Sequence, residues 1–454
     1  MENNRESWGS KTGFILAAAG SAIGLGNIWK FPYIAGENGG ASFVIVYLLC
    51  IAVIGLPVLI AEILIGRTTQ RNPVGAFYKL SQSRFWAGVG GIGVICGFLI
   101  LSFYAVIAGW STGYIVEAVR GSFYDFTEPA ASAEHFNALV GNIVWIIGFL
   151  FLFMVLTMII VFAGVQKGIE RGSKILMPIL FILLLVLMVR GLTLEGAGSG
   201  LEFLWNPDWS KINAKSVLIA LGHAFFTLSL GMGAMLTYGS YMSTKNSIPI
   251  SALQIVVLDT LIALIAGIAI FTSVFAVGLD PSAGPGLIFH TLPAVFVKMP
   301  GGYIFSIFFF ILLTIAALTS AISLLEVVTS YFVDERGWKR HSAVIFLSGI
   351  TFLLGVPSAL SYNLLAEFKL FNLNFFDLVD FLASNILLPL GGLLISLFVV
   401  WIWGFDKAIV NLKVGAENLI DKYPWTISFW KIFLKYFAPI LIFLVLLHST
   451  GLLG

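Results

Sequence analysis

The feature that most restricts this chain is a long apolar run near its start, interrupted where it should be most uniform. Between about residues 13 and 34 the run is long enough to cross a bilayer as a helix. Its centre reads Ala18-Ala-Gly-Ser-Ala-Ile-Gly-Leu-Gly-Asn27, with glycines, a serine and an asparagine where a plain anchor carries Leu or Val. Glycine makes leaving the helix cheap. A helix that unwinds in hydrocarbon bares carbonyls that no water can satisfy, so such backbone survives only if it is buried in protein or lines a cavity. Bared carbonyls together with the Asn27 amide oxygen form a hard-oxygen cluster suited to a small cation. A similar break recurs at Phe225-Phe-Thr-Leu-Ser-Leu-Gly-Met-Gly-Ala234.

Further apolar runs fall near 42–65, 87–117, 142–164, 175–190, 251–278, 303–332, 342–360, 376–403 and 433–453, and the second break lies within a run over 216–240. Each approaches the length that spans the hydrocarbon. The fold class expected is an all-α polytopic membrane protein with about eleven spans, the fifth having the shortest apolar core. With 59% hydrophobic and 11% charged residues, a soluble fold is excluded. No basic cluster points to nucleic acid. The two cysteines, Cys50 and Cys96, sit in apolar runs and read as small hydrophobes.

Charge orients the chain. With the N-terminus inside, the outer side keeps Lys30, Arg120, Arg190, Lys211, Lys215, Lys298 and Lys369, and the rest of the 25 Lys and Arg fall inside. This positive-inside bias predicts a multi-pass protein of the cell membrane with a cytoplasmic N-terminus and an extracellular C-terminus. The outer connections near 119–141, 191–215 and 279–302 are the longer irregular ones. The last is too short and broken to span; it reads as a hairpin over an outer vestibule or as a solvated loop.

Polar groups within apolar spans are costly and by default functional. The carboxylates at issue are Glu62, Asp259, Glu326 and Asp380. Asp259 lies deep in its span, where a bare carboxylate costs at least ~2.5–3.5 kcal/mol. It therefore needs a cation, a proton or a dense set of hydrogen bonds. Glu62 is readable as a proton carrier or as the acceptor for amides bared by a broken helix. His223 is readable as a proton site or as a packed neutral imidazole. Thr319-Ser320 supplies adjacent hydroxyls, which in membrane helices often bond their own backbone. No HExxH, GxSxG, Walker loop or CxxC pair is present, so nothing supports an enzyme. Two interrupted spans in corresponding halves are the pattern of a secondary transporter's midplane site.

Arg5, Trp8, Gly20-Ser-Ala-Ile-Gly-Leu-Gly-Asn27-Ile-Trp-Lys-Phe-Pro32 and Glu37-Asn-Gly-Gly40 resemble the neurotransmitter:sodium symporter family, with its leucine-transporter-type fold. The likeness continues through the second break and Thr319-Ser320 to Asp380. It implies one membrane domain over 1–454, with inverted five-helix repeats at about 10–190 and 216–403 and an extra helix at about 433–453. Helices one and six would be the broken ones.

The resemblance implies a first sodium held by the Ala22 carbonyl, Asn27, Thr227 and Asp259, with the substrate carboxylate completing the shell. A second sodium would sit among the carbonyls of Gly20, Ile23 and Ala316 and the hydroxyls of Thr319 and Ser320. The substrate carboxylate would meet the Tyr104 hydroxyl and amides near Gly24 and Gly26, at the positive end of a half-helix. Its side chain would be lined by Ser21, Ile100, Phe226, Ser229, Met232, Ser320 and Leu324, and it would touch Ala22 and Thr227 through the first sodium. These are mostly apolar, so a bulky aliphatic or aromatic side chain should fit. The family's amine-transporting branch has Asp where this chain has Gly24, which points here to an amino acid. Phe226 with Tyr104 would form an inner lid. Lys30 with Asp380 would form an outer ion-pair gate, and Arg5 with Asp334, under Trp8 and beside Tyr241, would close the cytoplasmic side. Gly168 and Pro178 match the family's unwinding motif in the fifth span.

Two departures matter. Asp259 stands where chloride-dependent members have Asn, and Ala263 where they have Ser, so a fixed carboxylate replaces the halide's charge and no chloride is expected. Lys30 stands where many members have Arg, which removes the bidentate fork and predicts a looser outer gate. The function expected is sodium-coupled symport of a neutral hydrophobic or aromatic L-amino acid by alternating access. The alternatives are a proton-coupled carrier and an amino-acid sensor that does not transport.

Overall fold

The computed structural model describes residues 6–126, 129–279 and 287–452. Among these the chain is helical, without β-strands. In order the helices are α1 (Lys11–Ala22), α2 (Gly26–Glu37), α3 (Ala41–Thr69), α4 (Pro73–Ser81), α5 (Arg84–Arg120), α6 (Pro129–Gly141), α7 (Ile143–Phe162), α8 (Val165–Leu192) and α9 (Ala197–Trp205). There follow α10 (Ala214–Thr227), α11 (Ala234–Ser240), α12 (Ile248–Ala276), α13 (Thr291–Lys298), α14 (Gly302–Arg336), α15 (Arg340–Leu360), α16 (Phe375–Lys413), α17 (Glu417–Lys422) and α18 (Trp425–Ser449).

Nine of these described helices are long and apolar enough to cross a membrane. The pair α1 and α2, bent by 47° at the break, passes the same test of length and apolarity when taken together. α10 is a shorter apolar helix, followed by α11 after the second break. The all-α polytopic expectation therefore holds. The fifth expected span, α8, however, begins about ten residues earlier than its apolar core. Its charged first turns stay helical because Lys174 pairs with Glu170 at 2.6 Å one turn away. Likewise α18 begins at Trp425, since its aromatic first turns suit the membrane boundary as well as any aliphatic run.

Where apolar residues face lipid they stay exposed, and where helices meet they vanish from solvent. α5 and α14 run side by side through the centre and are the most buried of the long helices. α7, α8 and α18 are peripheral, with under a third of their apolar windows covered. α1 packs against α8, α12 and α14, so its broken end is enclosed on three sides. Cys96 is buried and Cys50 half-buried, and both are free thiols. The stretch after Leu287 folds inward: Leu287, Ile288 and Phe289 are buried. The Asp280–Gly286 part of that connection lies outside the described residues.

Candidate functional site

The first break is held open by side chains from other helices. Ile23 turns out of the helix into an extended conformation, with ψ of 96°. The Gly24 amide then donates to Asn27 Oδ1 at 3.1 Å, and the Leu25 amide to the Tyr104 hydroxyl at 3.1 Å. Tyr104 belongs to α5, so the Leu25 amide just ahead of α2 is aimed into the protein interior, while the Gly24 amide is turned back onto Asn27 of α2 itself. Asn27 in turn donates through Nδ2 to the Asp259 carboxylate at 2.8 Å and to its backbone carbonyl at 3.1 Å.

The second break is a run of left-handed residues. Ser229, Gly231 and Gly233 have φ of 53°, 78° and 75°. Glycine adopts this region without strain, whereas Ser229 is held there by its own bonds. Its hydroxyl donates to the Ser21 carbonyl at 2.8 Å, which ties the two breaks together. The bared Gly231 amide donates to Glu62 Oε1 at 2.6 Å. Of the two readings open for Glu62, the geometry favours the acceptor for a broken helix. Glu62→Ala should strand that buried amide, costing about 1–3 kcal/mol, and a lowered Tm in thermal unfolding of the detergent-solubilised protein would register it.

Asn27, Thr227 and Asp259 meet at one point. The Thr227 hydroxyl donates to Asp259 Oδ1 at 3.1 Å, while Asp259 is fully buried and its Oδ2 has no hydrogen-bond partner among the described residues. A buried carboxylate oxygen left without a donor calls for a cation or a proton. Ala22, the last residue of α1, lies at the same break. A second oxygen cluster sits between α1 and α14. Thr319 Oγ1 lies 3.4 Å from the Ile23 carbonyl and 3.0 Å from that of Ala316, and Ser320 Oγ is 3.4 Å from the Gly20 carbonyl. All five residues expected at a second cation position are thus brought together. Their ligands are neutral hard oxygens, the donor set that suits a group-one cation.

Between the breaks lies a small cavity lined by Ser21, Ala22, Gly24, Gly26, Ile100, Tyr104, Phe226, Ser229, Met232, Ser320 and Leu324. Thr227 faces Asp259, as expected for the first cation position, and is not among the residues lining this cavity. Ser323 was missed: it accepts from the Ser21 hydroxyl at 2.6 Å. Its spacing from Thr319 and Ser320, on one helix face, was the available signal.

Above this cavity is a larger one of about 300 Å³, walled by Trp29, Tyr33, Trp110, Phe289, His290, Tyr362, Phe376, Asp377 and Asp380 among others. Tyr104 and Phe226 line both cavities, so they form the partition between them. Lys30 and Asp380 share the upper cavity but do not form the expected ion pair. Lys30 Nζ instead lies 4.6 Å from the centre of the Phe226 ring, and Asp380 accepts from Ser384 at 2.6 Å. A single flexible ammonium has no fork to hold it to a carboxylate, and the aromatic face competes.

The opposite side is sealed. Trp8 is buried, with Nε1 donating to the Tyr238 carbonyl at 2.9 Å and its amide to the Tyr241 carbonyl at 3.1 Å. The Tyr241 hydroxyl donates to buried Glu326 at 2.7 Å, and Arg340 pairs with the same carboxylate at 2.6 Å. Arg340 was not anticipated as Glu326's partner, because the two are distant in sequence terms for a helix pair and meet only where α14 and α15 fold back. Asp334 accepts from the Asn72 amide at 3.0 Å. Its expected partner Arg5 lies outside the described residues.

The family model described as the sodium:neurotransmitter symporter family matches residues 5–128 and 130–452. The chain is 42% identical to the uncharacterized sodium-dependent transporter YhdH of Bacillus subtilis, covering 100% of this chain and 99% of the relative. It is 35% identical to an uncharacterized sodium-dependent transporter of Haemophilus influenzae, covering 98% of each. Among solved structures, MhsT in complex with L-phenylalanine superposes with a TM-score of 0.90 at 48% identity, over 98% of this chain and 100% of that one.

Proposed function

This chain belongs to the sodium:neurotransmitter symporter family, whose members are sodium-coupled transporters and not enzymes, and from that premise we propose that it carries a neutral hydrophobic or aromatic L-amino acid into the cell with sodium and without chloride. The observation that carries the reading is the coincidence, at two helix breaks, of a small, mostly apolar cavity with the unpartnered Asp259 oxygen beside Asn27 and Thr227. Amides at the start of α2 suit a carboxylate, and Ile100, Phe226, Met232 and Leu324 suit a bulky apolar side chain. MhsT, similar over nearly the whole chain, was solved with L-phenylalanine, which supports the same substrate class.

In this reading sodium one is held by Ala22, Asn27, Thr227 and Asp259, and sodium two by Gly20, Ile23, Ala316, Thr319 and Ser320. The fixed charge of Asp259 replaces chloride. The two repeats run over about 10–190 and 216–403, and the N-terminus is cytoplasmic and the C-terminus outside. The sealed side with Trp8 and Glu326 is then the inner one. With Lys30 parted from Asp380, the arrangement is inner-closed, ready for entry from outside. Sodium shifts the equilibrium toward this state only by binding it better than the inward one.

The test is uptake of labelled Phe, Leu, Trp and Tyr into proteoliposomes. Accumulation should follow an inward sodium gradient, stop when choline replaces sodium, and persist when gluconate replaces chloride. Uptake that ignores sodium but follows a proton gradient would move the assignment to a proton-coupled carrier. Binding without counterflow would make it a sensor. For Thr319→Ala with Ser320→Ala, the sodium needed for half-maximal binding should rise about 100-fold, the loss of two hydroxyl contacts to a cation at ~1.5 kcal/mol each. Titration of sodium by scintillation-proximity binding reads it directly.

A further inference from the structure

A single carboxylate straps the segment ahead of α1 to the start of α8. Glu170 is buried, and its two oxygens accept from the Gly9 amide at 2.6 Å and from the Ser10 hydroxyl at 2.8 Å. Lys174 Nζ donates to it at 2.6 Å. Ser10 is also the N-cap of α1, its hydroxyl accepting from the Gly13 amide at 3.0 Å. One side chain therefore fixes the residue that starts the helix whose far end supplies Gly20, Ala22 and Ile23 to the break. The sequence leaves room for this contact: a methyl on Gly13 would collide with the Glu170 carboxyl, and one on Gly9 would lie 3.3 Å from Oε2. Two more bonds run in parallel. Glu6 accepts from the Val165 amide at 2.5 Å, and Gln166 Nε2 donates to the Ser7 carbonyl at 2.8 Å.

The anchor on α8 is a weak stretch of helix. Val165–Glu170 is wound in widened turns after Gly164, whose φ is 90°. Pro178, within the same helix, cannot donate to the carbonyl four residues before it, that of Lys174. α1 is a rigid lever about 18 Å long at 1.5 Å per residue. Moving its start away from α8 breaks the contacts of Glu170 with Gly9 and Ser10, and leaves a buried carboxylate with Lys174 as its one remaining bonded partner among the described residues. Water must then enter the first turns of α8.

We infer that Glu170 is a positioning residue of the transport cycle: it makes release of the 6–10 segment and loosening of the first turns of α8 one concerted event on the sealed side. The inference rests on the carrier reading for its meaning, but its test does not. Hydrogen exchange by mass spectrometry on the full-length protein in nanodiscs, with saturating sodium, should find both 8–22 and 165–174 slow. In Glu170→Ala both segments should speed up together by about 100-fold, roughly tenfold for each of the two lost bonds to a charged group. Gly13→Ala, which pushes the carboxyl off from the other side, should give the same pattern, and the double variant should be no faster than either alone. Lys174→Met, which spares both N-terminal donors, should have the smaller effect. In uptake assays Glu170→Ala should raise the sodium requirement with the order of amino-acid preference unchanged.

Faster exchange in only one segment, or effects of Gly13→Ala and Glu170→Ala that add, would overturn the coupling. If Glu170→Ala does not fold, Gly13→Ala and Lys174→Met decide by the same criteria. A wild-type protein that exchanges as described yet takes up no amino acid would leave the latch standing and remove the carrier reading instead.

Discussion

Replacing Asp259 by Asn is expected to eliminate sodium-driven amino-acid uptake in chloride-free medium. The carboxylate is fully buried in α12, and its Oδ1 is already committed to Asn27 and Thr227. Oδ2 has no donor among the described residues, so a cation or a proton is what balances the charge. Asn keeps the shape and the bonds to Oδ1 but removes the charge that a sodium beside Asn27 and Thr227 would neutralise. At ~1.5–3 kcal/mol for a contact to a charged group, sodium affinity should fall about 10- to 100-fold. If chloride then restores uptake, the negative charge was the quantity that mattered and not the carboxylate as such. Sodium titrations in gluconate and in chloride buffers separate the cases, and unchanged uptake in gluconate would refute the charge argument.

Gly24→Ala should lower kcat/KM for amino-acid uptake by at least about 100-fold, the scale expected when a reacting or bound group is displaced by around an ångström. A methyl at this position would collide with the Ser320 hydroxyl and lie 2.8 Å from the Tyr104 hydroxyl. Both line the cavity between the breaks, and Tyr104 holds the Leu25 amide in place. Gly222→Ala on α10 is the control, because a methyl there meets nothing within 4 Å. Uptake kinetics of the two variants beside equilibrium binding of labelled substrate measure the difference. A Gly24→Ala protein with ordinary affinity would show that the cavity is not where the substrate sits.

Much of this was legible in the residues because hydrocarbon leaves a chain few choices. Runs of apolar residues forced the helices, and glycine with serine or asparagine inside two of them forced the breaks. The second oxygen cluster was readable only through resemblance, since Thr319 and Ser320 by themselves look like ordinary helix hydroxyls. Other features were not legible. That Lys30 would rest on Phe226 instead of Asp380 depends on which conformation the helices hold. Glu62 could be assigned to the Gly231 amide only once α3 was seen beside the second break. The Glu170 contacts to Gly9 and Ser10 span some 160 positions and leave no local periodicity to detect.

By itself the sequence determined a helical membrane protein interrupted at mid-depth in two places, because an unsatisfied peptide group in lipid is too costly for any other reading of those glycines. The tertiary structure alone decided which buried oxygens stay without donors and which side of the protein is shut. Those are set by packing between helices far apart in the chain, where a shift of an ångström makes or breaks a hydrogen bond and no residue pattern records it.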